Sequence, residues 1–337
     1  MKNKTKLTLL LLTFYVTKSS AQHPNKDMLQ KMKDSITMVY LTEIAKRQPL
    51  LRQASLTTDF ISKGNFKSLL ADDSRVYNGK LGISRTKAVF NVPISKWGKN
   101  SFNAGITYVK QNLSLDANSL EQNAVANKGT LSTLGLVASY SLADSLMGSP
   151  VFYSASVTAL TNELTSIQRL SYMGSVIISV KRTPSTMTNI GLIMMVTPNT
   201  MMPIPYFGYW HKFSQSNLEL NVEFPSNITL RKPFSNRFWA TFGTAIDGSP
   251  AFIQHQSATH SLALLYETTE LRTSLGLEHM VGKKLVLGAR SGVINTVNNR
   301  LMRKDADRSD YLIKNKMGIA PFFNFSISLL PFLIAKK

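Results

Sequence analysis

Few residues in this chain have the type and spacing to do chemistry. There are five histidines, His23, His211, His255, His260 and His279, and no cysteine. Lacking cysteine, the chain has no disulfide, thiolate metal site, cysteine nucleophile or lipoprotein anchor. His255 and His260 fall close to Asp247, Ser249 and Ser257, from which a Ser–His–acid set could be assembled, as in rim enzymes acting on lipid. No nucleophile elbow or fixed spacing accompanies them, and two histidines with an aspartate in a polar stretch match no metal motif. The sequence therefore assigns no catalytic residue, metal ligand or cofactor, and the expectation is a non-enzyme. A second group is charged and recurs inside alternating stretches: Lys181, Glu219, Glu223, Arg231, Arg272, Glu278 and Arg290. What these do depends on which way their strands turn.

The strands themselves are legible near the C-terminus. In Phe323-Asn324-Phe325-Ser326-Ile327-Ser328-Leu329 every odd residue is apolar and every even one is Asn or Ser. A period of two puts the apolar side chains on one face and the polar ones on the other. The same alternation runs through 102–108, 134–142, 151–159 and 218–224, and the whole stretch 51–330 divides into 14 such runs. The count falls to 12 if 217–224 and 227–233 form one bent excursion. The connections decide the architecture. Lys96–Lys99, Asp144–Ser149, Thr183–Thr186, Ser214–Ser216, Phe234–Ser235 and Met280–Lys283 are short and fall on one side; 62–79, 115–129, 248–261 and 295–310 are long and fall on the other. That sorting predicts an all-β, transmembrane, antiparallel up-and-down barrel, with short periplasmic turns and longer outer loops. A soluble sandwich has no reason to sort its loops this way. No run of about 18 apolar residues is present, which excludes only helical spans.

In such a wall the seven charged residues above become lumen candidates, because a cation on the lipid face costs roughly 2–4 kcal/mol at the midplane. Trp97, Trp210 and Trp239 fall near the short-turn ends, where an interfacial aromatic belt is expected.

Residues 1–21 read as a cleaved signal peptide. Lys2, Lys4 and Lys6 precede the apolar run Leu7–Val16, and Ser19-Ser20-Ala21 places cleavage before Gln22. The implied location is the outer membrane of a Gram-negative bacterium. Residues 22–50 form a periplasmic N-terminal segment, a short helix or plug on one reading and a loosely ordered leader on the favoured one. The barrel occupies 51–330, and 331–337 is a tail. The formal charge of +20 becomes +16 once Lys2, Lys4, Lys6 and Lys18 are removed. The cations are scattered, with Lys46-Arg47, Lys181-Arg182, Arg231-Lys232 and Lys283-Lys284 as the main pairs. Clustered cations with interleaved aromatics, as nucleic-acid binding requires, are not found. The partners expected are outer-membrane lipid and, at the strand ends, anionic headgroups or cell-wall polymer.

Three phrases carry a family resemblance: Pro205-Tyr206-Phe207 through Leu218-Glu219-Leu220-Asn221-Val222-Glu223-Phe224-Pro225, then Leu230-Arg231-Lys232-Pro233-Phe234-Ser235-Asn236-Arg237-Phe238, and the closing segment 271–330. Together they resemble a family of uncharacterised outer-membrane β-barrel proteins of Bacteroidota, of the DUF6268 type, and Ala21-Gln22 resembles export sites of that phylum. The resemblance implies fold and location and brings no catalytic residues; the high basic charge departs from the family. Passive diffusion of small polar or anionic solutes is the function expected first. A closed structural or surface-interaction barrel is the alternative, and a rim lipid hydrolase or acyltransferase the least favoured.

Overall fold

A computed structural model describes residues 24–117, 129–162, 166–198, 200–256, 261–304, 306 and 310–333. A helix, α1 (Pro24–Arg47), and a single 3-10 turn (Pro49–Leu51) lead into the sheet. The first wall comprises β1 (Ala54–Leu70), β2 (Arg75–Trp97), β3 (Asn100–Ala117) and β4 (Thr130–Leu146). It continues through β5 (Ser149–Thr161), β6 (Arg169–Arg182), β7 (Thr186–Thr197), β8 (Thr200–Lys212), β9 (Glu219–Phe224) and β10 (Asn227–Pro233). The last strands are β11 (Phe238–Gln256), β12 (Ser261–Val281), β13 (Leu285–Arg303), β14 (Tyr311–Met317) and β15 (Ala320–Leu329). Each pairs antiparallel with its sequence neighbour, and β1 pairs with β14 and β15, which also pair with β13. β14 and β15 are two halves of one final strand interrupted at Gly318 and Ile319, so the closed barrel has 14 strands. The 12-strand alternative fails because β9 and β10 each hold their own ladder.

The two faces of the wall are inverted relative to a soluble protein. Phe323, Phe325 and Ile327 are exposed while Asn324 and Ser328 between them are buried. Leu56, Phe60, Ile106, Leu136, Phe242 and Leu275 are likewise exposed, and Asp59, Arg85, Gln111, Glu270 and Glu278 are buried. An oily outside and a polar inside is the arrangement a membrane-spanning barrel needs. The short turns use residues suited to them: Met147 and Gly148, at φ 49° and 80°, make the two-residue turn between β4 and β5. Two consecutive positive φ values match the right-handed twist of the flanking strands.

The long connections are shorter than expected. β1 runs to Leu70 and β2 starts at Arg75, so most of 62–79 is strand; β11 reaches Gln256, and β13 reaches Arg303. Polar residues on both faces are what a strand carries once it leaves the lipid, and the apolar alternation used to bound the strands stops there. The residues 118–128, 257–260 and 307–309 of these connections lie outside the described ones. The wall is consequently lopsided. β1–β4 and β11–β13 are 17 to 23 residues long, whereas β5–β8 have 12 to 14, and β9 and β10 only 6 and 7. Above the lipid level the long strands enclose an apolar cluster of Ile61, Phe66, Leu81, Ile83, Ile294 and Phe322.

Candidate functional site

The barrel interior holds the chemistry, in two ionic networks at different heights. The upper one joins strands on either side of the β1–β15 closure. Arg85 on β2 is bidentate to Glu270 on β12, at 2.8 and 3.0 Å, and donates through Nε to Gln111 on β3 at 3.0 Å. Arg272 donates to Glu270 and to Asp59 on β1, each at 2.8 Å, and Asp59 accepts from Asn324 at 2.6 Å. Asp247 stands 3.7 Å from Arg272. Alternation on six different strands delivers these side chains to one level, where planar guanidinium forks satisfy the carboxylates pairwise.

The lower network lies at the short-turn mouth and is completed by the N-terminal segment. Arg52, just past the 3-10 turn, is bidentate to Glu278 at 2.8 and 3.0 Å and donates to Ser328 at 2.9 Å. Trp239 Nε1 donates to the same carboxylate at 2.7 Å, and Arg290 lies 3.6 Å away. Glycine makes room here: a Cβ on Gly276 would come within 2.7 Å of Arg290 Cγ. Glu219 takes Arg231 at 3.1 Å and Arg47 at 3.5 Å, while Arg47 also stacks on Trp210 and Gln48 donates to Glu223. Ala45 is fully buried among Trp239, Met280, Val286 and Leu330. Residues 24–47 are therefore a helix whose C-terminal end caps the mouth, which replaces the favoured expectation of a loosely ordered leader. Sequence periodicity gave little sign of this, because the anchoring contacts come from the last turn and the residues after it.

The lumen candidates can now be placed. Glu219, Glu223, Arg231, Arg272, Glu278 and Arg290 all face inward into these networks. Lys181 does not; it is exposed at the end of β6, just beyond a bulge that breaks the alternation. Of the expected aromatic belt, Trp97 is exposed and packs beside Tyr140. Trp239 is 0% exposed and serves the lower network, and Trp210 faces Arg47 in the lumen. Both leave the belt because their strand registers put them on the polar face. Arg52, Asp59, Arg85 and Glu270 were not picked out from sequence. Arg85 sits in Ser84-Arg85-Thr86-Lys87, polar on both faces, where alternation gives no direction.

The remaining candidates disperse. Ser249 bonds with Thr268 at 3.0 Å and contacts Gln111, and Asp247 accepts from the Gly248 N–H, so no Ser–His–acid set is assembled among the described residues. His260, His23 and the His255 side chain lie outside the described ones. His211 Nδ1 pairs with the Thr186 hydroxyl at 2.9 Å, and His279 is exposed beside Phe238. The basic pairs are largely occupied within the fold: Arg182 donates to the Tyr40 hydroxyl, Lys232 to the Ser216 carbonyl, and Lys284 to the Pro331 carbonyl at 2.6 Å. Burial in the β12–β13 turn holds the Lys284 ammonium below its ordinary value. A cavity of about 170 Å³ remains beside the upper network, between Lys87, Val109, Val137, Leu160 and the Asp247–Pro250 stretch.

No family model matches the chain, and no curated protein is similar to it in sequence. Among solved structures, the chain is similar to an outer-membrane channel of Pseudomonas putida F1 at a TM-score of 0.34 and 9% identity, over 82% of this chain and 96% of that one. A Pseudomonas aeruginosa FadL homologue gives a TM-score of 0.28 and 10% identity over 82% and 90%. The outer-membrane protease OmpT of Escherichia coli gives 0.26 and 9% over 83% and 97%.

Proposed function

We propose that this chain is an outer-membrane barrel whose bore is held shut, a structural or surface-interaction barrel with no catalytic role. The observation that carries the reading is the pair of buried networks, Arg85–Glu270–Arg272–Asp59 above and Arg52–Glu278–Trp239 below. Ion pairs removed from water on both sides are costly unless mutually satisfied, and these are. A passive pore for small polar or anionic solutes needs a water-filled bore, and side chains paired across the lumen weigh against one. The outer-membrane location draws support from the apolar exterior, the sorted turns and the export-type N-terminus, and the DUF6268-type resemblance agrees with it. Outer-membrane lipid is the partner implied, with the exposed Lys181 and Lys283 available to anionic headgroups at the short-turn side.

Solute efflux from liposomes tests this. Purified protein reconstituted in lipid vesicles should release trapped chloride and small sugars no faster than protein-free vesicles. Release graded by solute size would overturn the closed reading and restore the pore.

A further inference from the structure

The wall has a gap. β9 pairs with β8 only from Lys212 up to Phe207, and β10 pairs with β11 only from Trp239 up to Ala245. β8 continues to Thr200 and β11 to Gln256. Above the β9–β10 hairpin, therefore, β8 residues 200–206 and β11 residues 246–256 have no strand neighbour on that side among the described residues. Seven residues of strand correspond to about 23 Å.

The gap lies at membrane depth. Outward-facing Leu192 on β7, Met201 and Phe207 on β8, Phe224 at the hairpin tip and Ile246 on β11 are all exposed. Open edges in hydrocarbon leave N–H and C=O groups without partners, at several kcal/mol each. This chain removes or satisfies several of those groups. On β8 the Lys212 N–H points to β7 and the Phe213 N–H to the β9 side, so odd residues face the gap. Pro203 and Pro205 occupy odd positions and carry no N–H. On β11 the Ile246 N–H meets Ser226 at the hairpin tip, so even residues face the gap. There the Gly248 N–H is taken by Asp247 Oδ1 at 3.0 Å, Pro250 has none, and the Pro250 carbonyl accepts from Thr133 Oγ1 at 3.0 Å. At the hairpin tip Pro225 lacks an N–H and the Ser226 hydroxyl donates to the Glu223 carbonyl at 2.9 Å. The edges are finished for separation rather than for a missing strand, since prolines deny the donors an added strand would need.

The inner face behind the gap changes character to match. Across β7 and β8 the directly opposed pairs Met195–Met202 and Ile193–Ile204 share the inward face with Tyr206 and Trp210. Lower on the same face stand Asn189 and Lys212. β11 meanwhile leaves the wall and crosses to β4 through Pro250–Thr133 and to β3 through Ser249–Gln111, so it does not close against β8.

We infer that this gap is a lateral port, through which a small or unbranched apolar molecule dissolved in the membrane reaches the Met- and Ile-lined inner face of β7 and β8. The inference rests on the reading of the chain as a membrane-spanning barrel. Methionine suits the site, being apolar and adaptable in shape.

The absence of native cysteine makes single-cysteine labelling decisive. Ile204→Cys, Met202→Cys, Phe207→Cys and Ser154→Cys would be reconstituted in phosphatidylcholine vesicles, with folding checked by the gel shift between unheated and boiled protein. Each would be exposed to N-dodecylmaleimide in the membrane and, separately, to a sulfonated maleimide in water. Phe207 faces lipid, and Ser154 faces the lumen in a wall paired on both sides. Ile204→Cys should react with the lipid reagent at a rate comparable to Phe207→Cys, and Ser154→Cys at least about tenfold more slowly. Met202→Cys gives the same readout if Ile204→Cys does not fold. Reaction of the port cysteine as slow as that of Ser154→Cys, or with the aqueous reagent alone, would overturn the port. Failure of Phe207→Cys to react with the lipid reagent would instead overturn the membrane-spanning reading beneath it.

Discussion

Glu278 receives four groups in one place: the Arg52 fork, the Trp239 indole N–H, the Arg290 guanidinium and the packing of Gly288 beside its stem. Removing one member of such a buried set strands the others without water. Glu278→Ala should therefore lower stability by roughly 3–5 kcal/mol, more than any substitution on the lipid face nearby. Glu278→Gln, which keeps an acceptor for Trp239 or Arg52 but loses the charge, should cost less. Urea midpoints of the folded, faster-migrating gel band measure both; equal midpoints for Glu278→Ala and the native chain would show that the network bears no stability. At this scale the sequence was informative where alternation was clean. Glu219, Arg272, Glu278 and Arg290 could be assigned to the lumen because apolar residues flank them on the opposite face. Arg85 could not, since its neighbours are polar in both directions, and Arg52 stands ahead of the first strand, where alternation gives no face. Trp239 misled because an aromatic residue at a strand end suits an interface belt and a lumen wall equally well; register alone separates them.

Among the elements, α1 is the one whose role is tertiary. Its amphipathic stripe is imperfect, and what fixes it is the end: Ala45 enclosed by Trp239, Met280, Val286 and Leu330, then Arg47 on Trp210 and Gln48 on Glu223. Ala45→Arg would force a large charged side chain into a fully buried site and should release the segment while leaving the strand ladders intact. Limited trypsin digestion would show it as rapid cleavage near Lys46 and Arg47 with an unchanged barrel band. Protection equal to that of the native chain would mean that the helix is not held where it is seen. The strands teach the complementary lesson. Their membrane portions were legible from period two, and their extensions beyond the lipid were not, because solvent on one face and neighbours on the other removes the polar–apolar contrast. β9 and β10, at 6 and 7 residues, looked short enough to be one excursion; their hydrogen-bond ladders make them two strands.

For the whole molecule, the unequal walls set the behaviour. Seven long strands and the two-part last strand rise above the short wall of β5–β10, and β11 crosses to β4 so that the outer mouth is partitioned. The end of the N-terminal helix packs at the other mouth, and two ionic networks lie between the mouths. Barrel class and turn sorting could be read in advance from alternation and connection lengths. Whether the bore was open could not, since it depends on which charges meet across the lumen, a relation between strands far apart in sequence. Planar-bilayer recording tests that closure most directly, with the intact chain compared against one lacking residues 24–51. The intact protein should give no discrete conductance steps across repeated insertions, and the shortened one, without Arg47 and Gln48 at the mouth, should flicker open. Steady steps from the intact protein, larger when chloride carries the current, would contradict a closed bore.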